Sequence, residues 1–417
     1  MKNCIILAFS ILLLATITLN LTACAPSVQA ADLMAGISGK TVQGKSADAK
    51  FIGNTADFSL DLFKKTSNEE KNSLISPLSV LLALAMTANG ADKQTLSEME
   101  AVLGGDIGLE ELNEYLYSYV KNLPNDKKSK LTVANSIWFR EDNNRLTVEK
   151  DFLQKNADYY NAAAYKSPFD GQTLKDINNW VKENTDGMID KILDQIDDDA
   201  VMYLINAIVF DAEWETVYNK ANITEDSFTT IDGSKQMADF MHSEENIYLD
   251  DGRATGFIKP YAGNKYSFVA LLPNEEIAIG EYIDMLSGEG FLQTIDGAIN
   301  TTVSAALPKF SYDYKIQMND ALKAMGMPTA FSAAEADFNK LGQSSRGNIY
   351  IGEVLHKTFI QVDELGTRAG AVTKVEMKDE AYIETKAVVL NRPFVYAIID
   401  NASKLPVFIG TVMEIAD

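Results

Sequence analysis

Few side chains in this sequence have the chemistry that catalysis requires. The 417 residues include two histidines, His242 and His356, and two cysteines, Cys4 and Cys24. Both cysteines lie close to the N-terminus, so the rest of the chain has no cysteine for a catalytic Cys-His pair. Two histidines are also too few for a zinc site built on several histidines. A Ser-His-Asp triad is formally available, but no Gly-x-Ser-x-Gly turn accompanies it. We therefore predict no catalytic residue, no metal site, no cofactor and a protein that is not an enzyme.

Two shorter motifs suggest chemistry but lack the companion residues that would support it. Ser118 and Lys121 have the Ser-x-x-Lys spacing of penicillin-binding enzymes, without the Ser-Asp-Asn and Lys-Thr-Gly elements, which favours a plain helix face. The run from Asp197 to Asp199 could suggest calcium, but three adjacent carboxylates lack the alternating spacing of calcium-binding loops. We interpret that run as a solvated turn.

The segment from Glu364 to Met377 has the two-residue period of a strand. Alternate residues from Thr367 onward are Thr, Ala, Ala, Thr, Val and Met, whereas the other set is Arg, Gly, Val, Lys and Glu. One buried and one solvated face produce this pattern in a strand. The charged residues 378–380 that follow indicate a loop instead. Small side chains would let such a loop slide between strands already packed over a core, where bulky or charged groups would clash.

On these residues the chain resembles the serpins. The family's hinge signature, Glu-x-Gly-Thr-x-Ala-x-Ala-x-Thr, is matched by Glu364, Gly366, Thr367, Ala369, Ala371 and Thr373. The other matching stretches are residues 72–79, 177–189, 206–214, 307–310, 356–357, 391–394 and 406–410. The resemblance covers roughly residues 50–415 in the family's order, which isolated chance motifs would not reproduce.

The resemblance implies an α+β serpin fold with three β-sheets, about eight or nine helices and an exposed reactive-centre loop. It also implies a suicide inhibitor of serine endopeptidases, with cysteine endopeptidases as a second class, which traps the acyl-enzyme by inserting the loop into the central sheet. The partner would be the target protease in a covalent complex, and we expect the inhibitor to be a monomer. The alternative is a non-inhibitory member that serves as a surface binding protein. The small inward residues of the hinge disfavour that alternative.

The position of the reactive bond stays open between two counts. Counting forward from Glu364 by the family's usual spacing places the bond between Glu380 and Ala381, whereas counting back from Pro393 gives Tyr382. The two counts differ because this loop is longer than the common pattern. We favour Glu380 and Ala381, because insertion constrains the length before the bond more than the length after it.

The resemblance also assigns roles to residues that would lie beneath the central sheet. Ser76, Ser79, Asn206 and His356 correspond to the polar cluster called the shutter, and Trp214 corresponds to the tryptophan of the breach, where the loop first enters. Buried polar groups cost about 1–3 kcal/mol each when unpaired, so such a cluster can tune how readily strands part. The simpler alternatives are a hydrogen-bonded core histidine and a core aromatic side chain.

The N-terminus has the features of an exported lipoprotein. A short basic start and an apolar run predict a signal peptide over residues 1–23. The sequence Leu-Thr-Ala before Cys24 resembles a lipobox, which implies a lipid on Cys24 and attachment to a membrane at the cell surface. Ordinary signal cleavage after Ala30 is the alternative. Residues 24–50 are polar with several glycines and predict a flexible tether, and the resemblance implies that residues 51–417 are the serpin domain.

Composition limits the remaining partners. The net charge of −22 argues against nucleic acid and heparin, because both polyanions need a basic patch. With 46% hydrophobic residues and no cysteine after Cys24, the domain must be held together by its core rather than by disulfides. Runs of helical and strand periodicity without regular alternation indicate mostly antiparallel sheets.

Overall fold

The computed structural model describes residues 28–141, 146–197, 200–345, 347–367 and 385–415. The predicted lipidation site Cys24, the reactive-bond candidates Glu380, Ala381 and Tyr382, and the hinge positions Ala369, Ala371 and Thr373 lie outside these ranges.

Nine α-helices are present in the described residues. They are α1 (Ala49–Thr66), α2 (Pro77–Ala88), α3 (Lys93–Gly104), α4 (Leu109–Asn122), α5 (Lys150–Tyr160), α6 (Gly171–Asn184), α7 (Ile279–Met285), α8 (Gly288–Asp296) and α9 (Asn319–Met325). Helix α2 is buried all round, because its sequence is apolar on every face. Ser76 caps it by accepting a hydrogen bond from the Ser79 amide, and Pro77 occupies the first helical position.

Eighteen strands accompany the helices in the described residues. They are β1 (Ala31–Asp32), β2 (Ser73–Ile75), β3 (Ser129–Arg140), β4 (Leu146–Val148), β5 (Ala163–Ser167), β6 (Met202–Glu213), β7 (Ile223–Thr229), β8 (Lys235–Asp250), β9 (Ala254–Pro260), β10 (Tyr266–Pro273), β11 (Ile299–Pro308), β12 (Phe310–Gln317), β13 (Gly342–Ser344), β14 (Glu353–Val362), β15 (Gly366–Thr367), β16 (Lys386–Val389), β17 (Phe394–Asp400) and β18 (Pro406–Val412).

The strands form three sheets. A seven-stranded sheet has the order β1-β5-β3-β6-β15-β14-β12, and a nine-stranded sheet follows β16-β11-β8-β9-β10-β17-β18-β2, with β7 on β8. Strands β4 and β13 form a two-stranded sheet. Most pairings are antiparallel, as predicted, and the exceptions are β3–β5, β6–β14 and β11–β16. The architecture confirms the predicted α+β fold with three sheets.

The large core lies between the seven-stranded and nine-stranded sheets. Strand β6 is buried along nearly its whole length, which agrees with its almost wholly apolar sequence. Helix α2 packs beneath it and beneath β18. In the described part of the chain, the structure contains no helix long and apolar enough to cross a bilayer.

The flexible tether predicted over residues 24–50 is wrong for the part that the structure describes. The amides of Gln29 and Ala30 donate to the Asp176 carboxylate at 2.9 and 2.8 Å. Strand β1 then pairs with β5, and Asp48 accepts a hydrogen bond from the Tyr115 hydroxyl. These contacts use backbone groups and single carboxylates, which composition alone does not reveal. The segment therefore lies along the domain, and α1 already begins at Ala49.

Candidate strand-insertion site between β6 and β14

Strands β6 and β14 are neighbours at one end and separated at the other. Residues 203–207 of β6 pair in parallel with residues 353–357 of β14. Farther along, the two-residue strand β15 lies between them, antiparallel to both, with Thr367 opposite Ala212 and Val362. Parallel strands that diverge around an antiparallel strand have room for that strand to lengthen. We call the paired part the closed end and the part that holds β15 the hinge end.

Both residues of β15 suit this position. A Cβ on Gly366 would lie 2.0 Å from the carbonyl oxygen of Ala212, so only glycine allows this approach to β6. Thr367 is 2% exposed, and its hydroxyl lies 2.5 Å from the Tyr261 hydroxyl. Burial raises the pKa of Tyr261, so this phenol stays neutral and can share a hydrogen bond with Thr367.

The turn that leads from β14 into β15 is held by backbone hydrogen bonds. We call residues 363–365 the hinge turn. The Trp214 indole donates to the carbonyl of Asp363, the Trp214 amide donates to that of Leu365, and the Tyr218 amide donates to that of Glu364, each at 2.9 Å. The Trp214 ring also stacks on Tyr261 at 4.5 Å between centroids. Trp214 thus contacts the entry point from two sides.

The side chain of Glu364 fixes the outer face of the hinge turn. Its carboxylate lies 2.9 Å from Nζ of Lys309, which is also 3.5 Å from Asp239. The hydrogen bond from Lys309 lowers the pKa of Glu364. The pair therefore stays ionised at neutral pH and joins the hinge turn to the residue between β11 and β12.

At the closed end, a polar cluster lies beneath the sheet. His356 is fully buried; its Nε2 accepts from the Ser76 amide at 3.0 Å, and its Nδ1 lies 3.0 Å from Oδ1 of Asn206. Asn206 donates to the Ser79 carbonyl at 2.8 Å and to the side chain of Asn135. The cluster joins β14, β6, β3 and the start of α2, the four elements that meet where β6 and β14 are still paired.

The protonation state of His356 follows from its partners. An amide can only donate, so Nε2 must be the unprotonated acceptor and Nδ1 the donor to Asn206. Burial lowers the pKa of His356 to about 3, which agrees with this neutral tautomer. A proton on Nε2 would remove the acceptor for the Ser76 amide.

The structure brings together the residues that the sequence grouped as a shutter, Ser76, Ser79, Asn206 and His356, and separately places Trp214 beside Glu364, Gly366 and Thr367. Sequence reasoning missed four contributors: Asn135, Tyr218, Tyr261 and Lys309. Lys309 stood inside a matched stretch, but its sequence position gave no sign of its partner. The other three act through contacts distant in sequence, for which one sequence carries no signal.

The site supplies the groups that pair a strand. Its groups are backbone donors and acceptors along β6 and β14, a buried hydroxyl pair and a neutral histidine. Within the described ranges, no group of three or more metal-ligating side chains converges. The arrangement can accept more residues after Thr367 as a strand between β6 and β14.

Comparisons with known proteins agree with this geometry. The family model described as Serpin (serine protease inhibitor) matches residues 53–415. The crystal structure of the thermophilic serpin tengpin in its native state is 58% identical and covers 93% of this chain and 100% of its own, with a TM-score of 0.90. The same protein in its latent state has a TM-score of 0.80 at 55% identity, covering 90% of this chain and 100% of its own. Human neuroserpin is 28% identical over 379 residues, covering 86% of this chain and 90% of neuroserpin.

Proposed function

The chain belongs to the serpin family, and from that premise we propose that it is a suicide inhibitor of serine endopeptidases, with cysteine endopeptidases as a second target class. The family consists mostly of protease inhibitors rather than enzymes, which supports protease inhibition in general. The trapping mechanism and the target are our proposal for this chain.

One observation carries the proposal: β15 already lies between β6 and β14 in antiparallel register. The protease nucleophile attacks a loop carbonyl, the peptide bond breaks, and an acyl bond joins the loop to the protease. The freed arm that begins at Thr367 then continues β15 toward the closed end and carries the protease with it. The reactive bond proposed between Glu380 and Ala381, with Tyr382 as the alternative, lies outside the described residues.

The free energy gained by inserting the arm would be large enough to distort the acylated protease. About ten inserted residues would add on the order of ten backbone hydrogen bonds, each worth roughly 1 kcal/mol net. That sum is comparable with the whole free energy of unfolding of many proteins, about 5–15 kcal/mol. Insertion could therefore distort the active site of the acylated protease before water releases it.

A protease panel tests the proposal. The soluble domain is incubated with glutamyl-specific, elastase-like and chymotrypsin-like serine proteases and a papain-like cysteine protease, and the products are separated in denaturing gels. We expect a denaturant-resistant complex with at least one serine protease, and mass spectrometry of the cleaved loop identifies the bond. Cleavage without complex by every protease that cuts the loop would reject inhibition and favour the surface binding protein.

We also propose that the protein is held at a membrane by a lipid on Cys24. The basis is the lipobox sequence that precedes this residue. In the native host, the protein should partition into the detergent phase, and Cys24→Ala should move it to the aqueous phase, whereas Cys4→Ala should leave the partition unchanged. Equal partition of the unmodified protein and Cys24→Ala would contradict the anchor.

A further inference from the structure

A buried ion pair lies behind the residues that hold the hinge turn. Lys259, near the end of β9, is 2% exposed, and its Nζ is 2.7 Å from Oε1 of Glu245 in β8, which is 6% exposed. Ser243 donates to the same carboxylate oxygen at 2.6 Å. Both charges are therefore removed from water but compensated by close partners.

The same ammonium contacts the two aromatic residues that grip the hinge turn. Nζ of Lys259 lies 4.2 Å from the centroid of the Tyr218 ring and 5.4 Å from that of the Trp214 ring. A cation over an aromatic face is attracted to it, and more strongly when both are desolvated. The amides of Trp214 and Tyr218 donate to the hinge turn. A charge that holds their rings therefore also helps to fix the direction of these backbone N–H groups.

The backbone connects the pair to the entry point as well. Lys259 is followed by Pro260, whose carbonyl accepts from the Glu215 amide at 3.0 Å, and then by Tyr261. Trp214 and Tyr261 form an antiparallel bridge, and Tyr261 reaches the hydroxyl of Thr367. Lys259 thus lies two residues before the tyrosine whose hydroxyl contacts Thr367.

Stability alone gives little reason for this pair. Buried ion pairs can often be replaced by apolar residues at no cost in stability or with a gain. A charged pair instead constrains the relative orientation of the side chains, because a carboxylate, an ammonium and two ring faces must be aligned together. The useful consequence here is a fixed geometry of Trp214 and Tyr218.

We propose that Lys259 and Glu245 are positioning residues for strand insertion, which hold Trp214 and Tyr218 so that Thr367 stays between β6 and β14 and the arm after it enters in one register. The inference rests on the proposed inhibitory function. Loss of the pair should leave cleavage of the reactive-centre loop unchanged, because the pair lies inside the fold. It should let the hinge turn fluctuate, so that insertion starts later and hydrolysis releases the protease more often.

The test removes both charges together with Lys259→Met/Glu245→Gln, so that neither is left buried without its partner. The matched control is Lys182→Met/Asp190→Asn, because this pair has a 2.7 Å contact but is exposed. Circular dichroism first establishes that both variants are folded. Hydrogen exchange measured by mass spectrometry should rise about tenfold in peptides covering residues 213–219 and 363–367 of the first variant and stay unchanged in the control.

The second measurement uses a protease that the unmodified protein traps. The ratio of complex to cleaved inhibitor should fall about fivefold in Lys259→Met/Glu245→Gln, at an unchanged rate of loop cleavage. Unchanged exchange would overturn the role of the pair in holding the hinge turn. Two other outcomes would overturn the positioning role. One is faster hydrogen exchange with an unchanged ratio of complex to cleaved inhibitor. The other is a fall in that ratio together with the rate of loop cleavage. If the unmodified protein traps no protease, the proposed function and this trapping role fail together, and exchange alone decides whether the pair holds the turn.

Discussion

The two ends of the β6–β14 pair are built from different interactions. At the hinge end, the contacts run from β15 and the hinge turn to Trp214, Tyr218 and Tyr261, and they hold the incoming chain in place. At the closed end, the strands hold each other through a parallel ladder above the buried cluster around His356 and Asn206. In the proposed mechanism, the hinge end would guide insertion, and the closed end would resist it. Substitutions at the two ends should consequently have separable effects.

The largest effect is expected at Thr367, which already lies between β6 and β14 in the uncleaved protein. Thr367→Arg would place a charge where desolvation costs several kcal/mol, so we expect it to displace β15 from the sheet, and insertion after cleavage would then have to bury the charge. Since each 1.4 kcal/mol changes a rate tenfold, a delay of about 3 kcal/mol would slow insertion about a hundredfold and turn the inhibitor into a substrate. The ratio of denaturant-resistant complex to cleaved product on a gel measures this outcome.

The control for that experiment is Thr147→Arg, the same change at an exposed strand residue of β4. It should leave the ratio unchanged. Efficient complex formation by Thr367→Arg would show that insertion does not depend on Thr367 keeping its place in the sheet and that guidance at the hinge end is wrong.

The closed end should dominate the stability of the uncleaved protein. Asn206→Ala removes the partners of His356, Asn135 and the Ser79 carbonyl, and should lower the free energy of unfolding by about 2–3 kcal/mol. Tyr261→Phe removes one hydrogen bond at the hinge end and should cost about 1 kcal/mol. Urea unfolding of both variants measures the difference. Equal costs, or a larger one for Tyr261→Phe, would contradict the division between the two ends.

The pH dependence of stability should also be set at the closed end. The pKa of His356 is about 3 in the fold, against about 6.5 unfolded, so the unfolded chain binds more protons between these values. The contribution of neutral His356 is complete above pH 6.5 and is lost as the pH falls toward 3, by about 1.4 kcal/mol per pH unit. His356→Gln should flatten the slope of unfolding free energy between pH 6 and 4.5, whereas the exposed His242→Gln should retain it. A slope that His356→Gln leaves unchanged would refute this account.

The smallest effect is expected at the outer face of the hinge turn. Glu364→Gln removes the ion pair with Lys309, whose two side chains are partly exposed, and should lower the free energy of unfolding by at most about 1 kcal/mol. The loss should shrink in 1 M salt, because such pairs are screened. Urea unfolding at low and high salt measures it. A loss above that of Asn206→Ala would mean that the hinge end carries the stability.

Local patterns predicted much of the fold, but they did not predict contacts between distant segments. Helix α4 follows from the regular spacing of its apolar residues, and the cap of α2 follows from Ser76 and Pro77. Residues 301–310 contain the end of β11 and the start of β12, which are separated at Lys309. The hinge turn is held through backbone carbonyls, which every residue possesses, so no pattern could indicate Trp214 and Tyr218 as its donors. The alternation after Glu364 predicted a strand that would enter a sheet, without showing which strands would receive it.

Residues 28–48 lie along the domain, which shortens the free segment between the domain and any lipid on Cys24. A fully extended chain from residue 24 to residue 50 would be about 90 Å long, whereas the chain from Cys24 to residue 28 spans at most about 14 Å. With the proposed lipid in place, the edge formed by β1 and β5 would stand almost against the headgroups. That distance is less than two Debye lengths in physiological salt, so an anionic surface would repel the chain, whose net charge is −22. The lipid would then determine which side of the inhibitor an approaching protease meets.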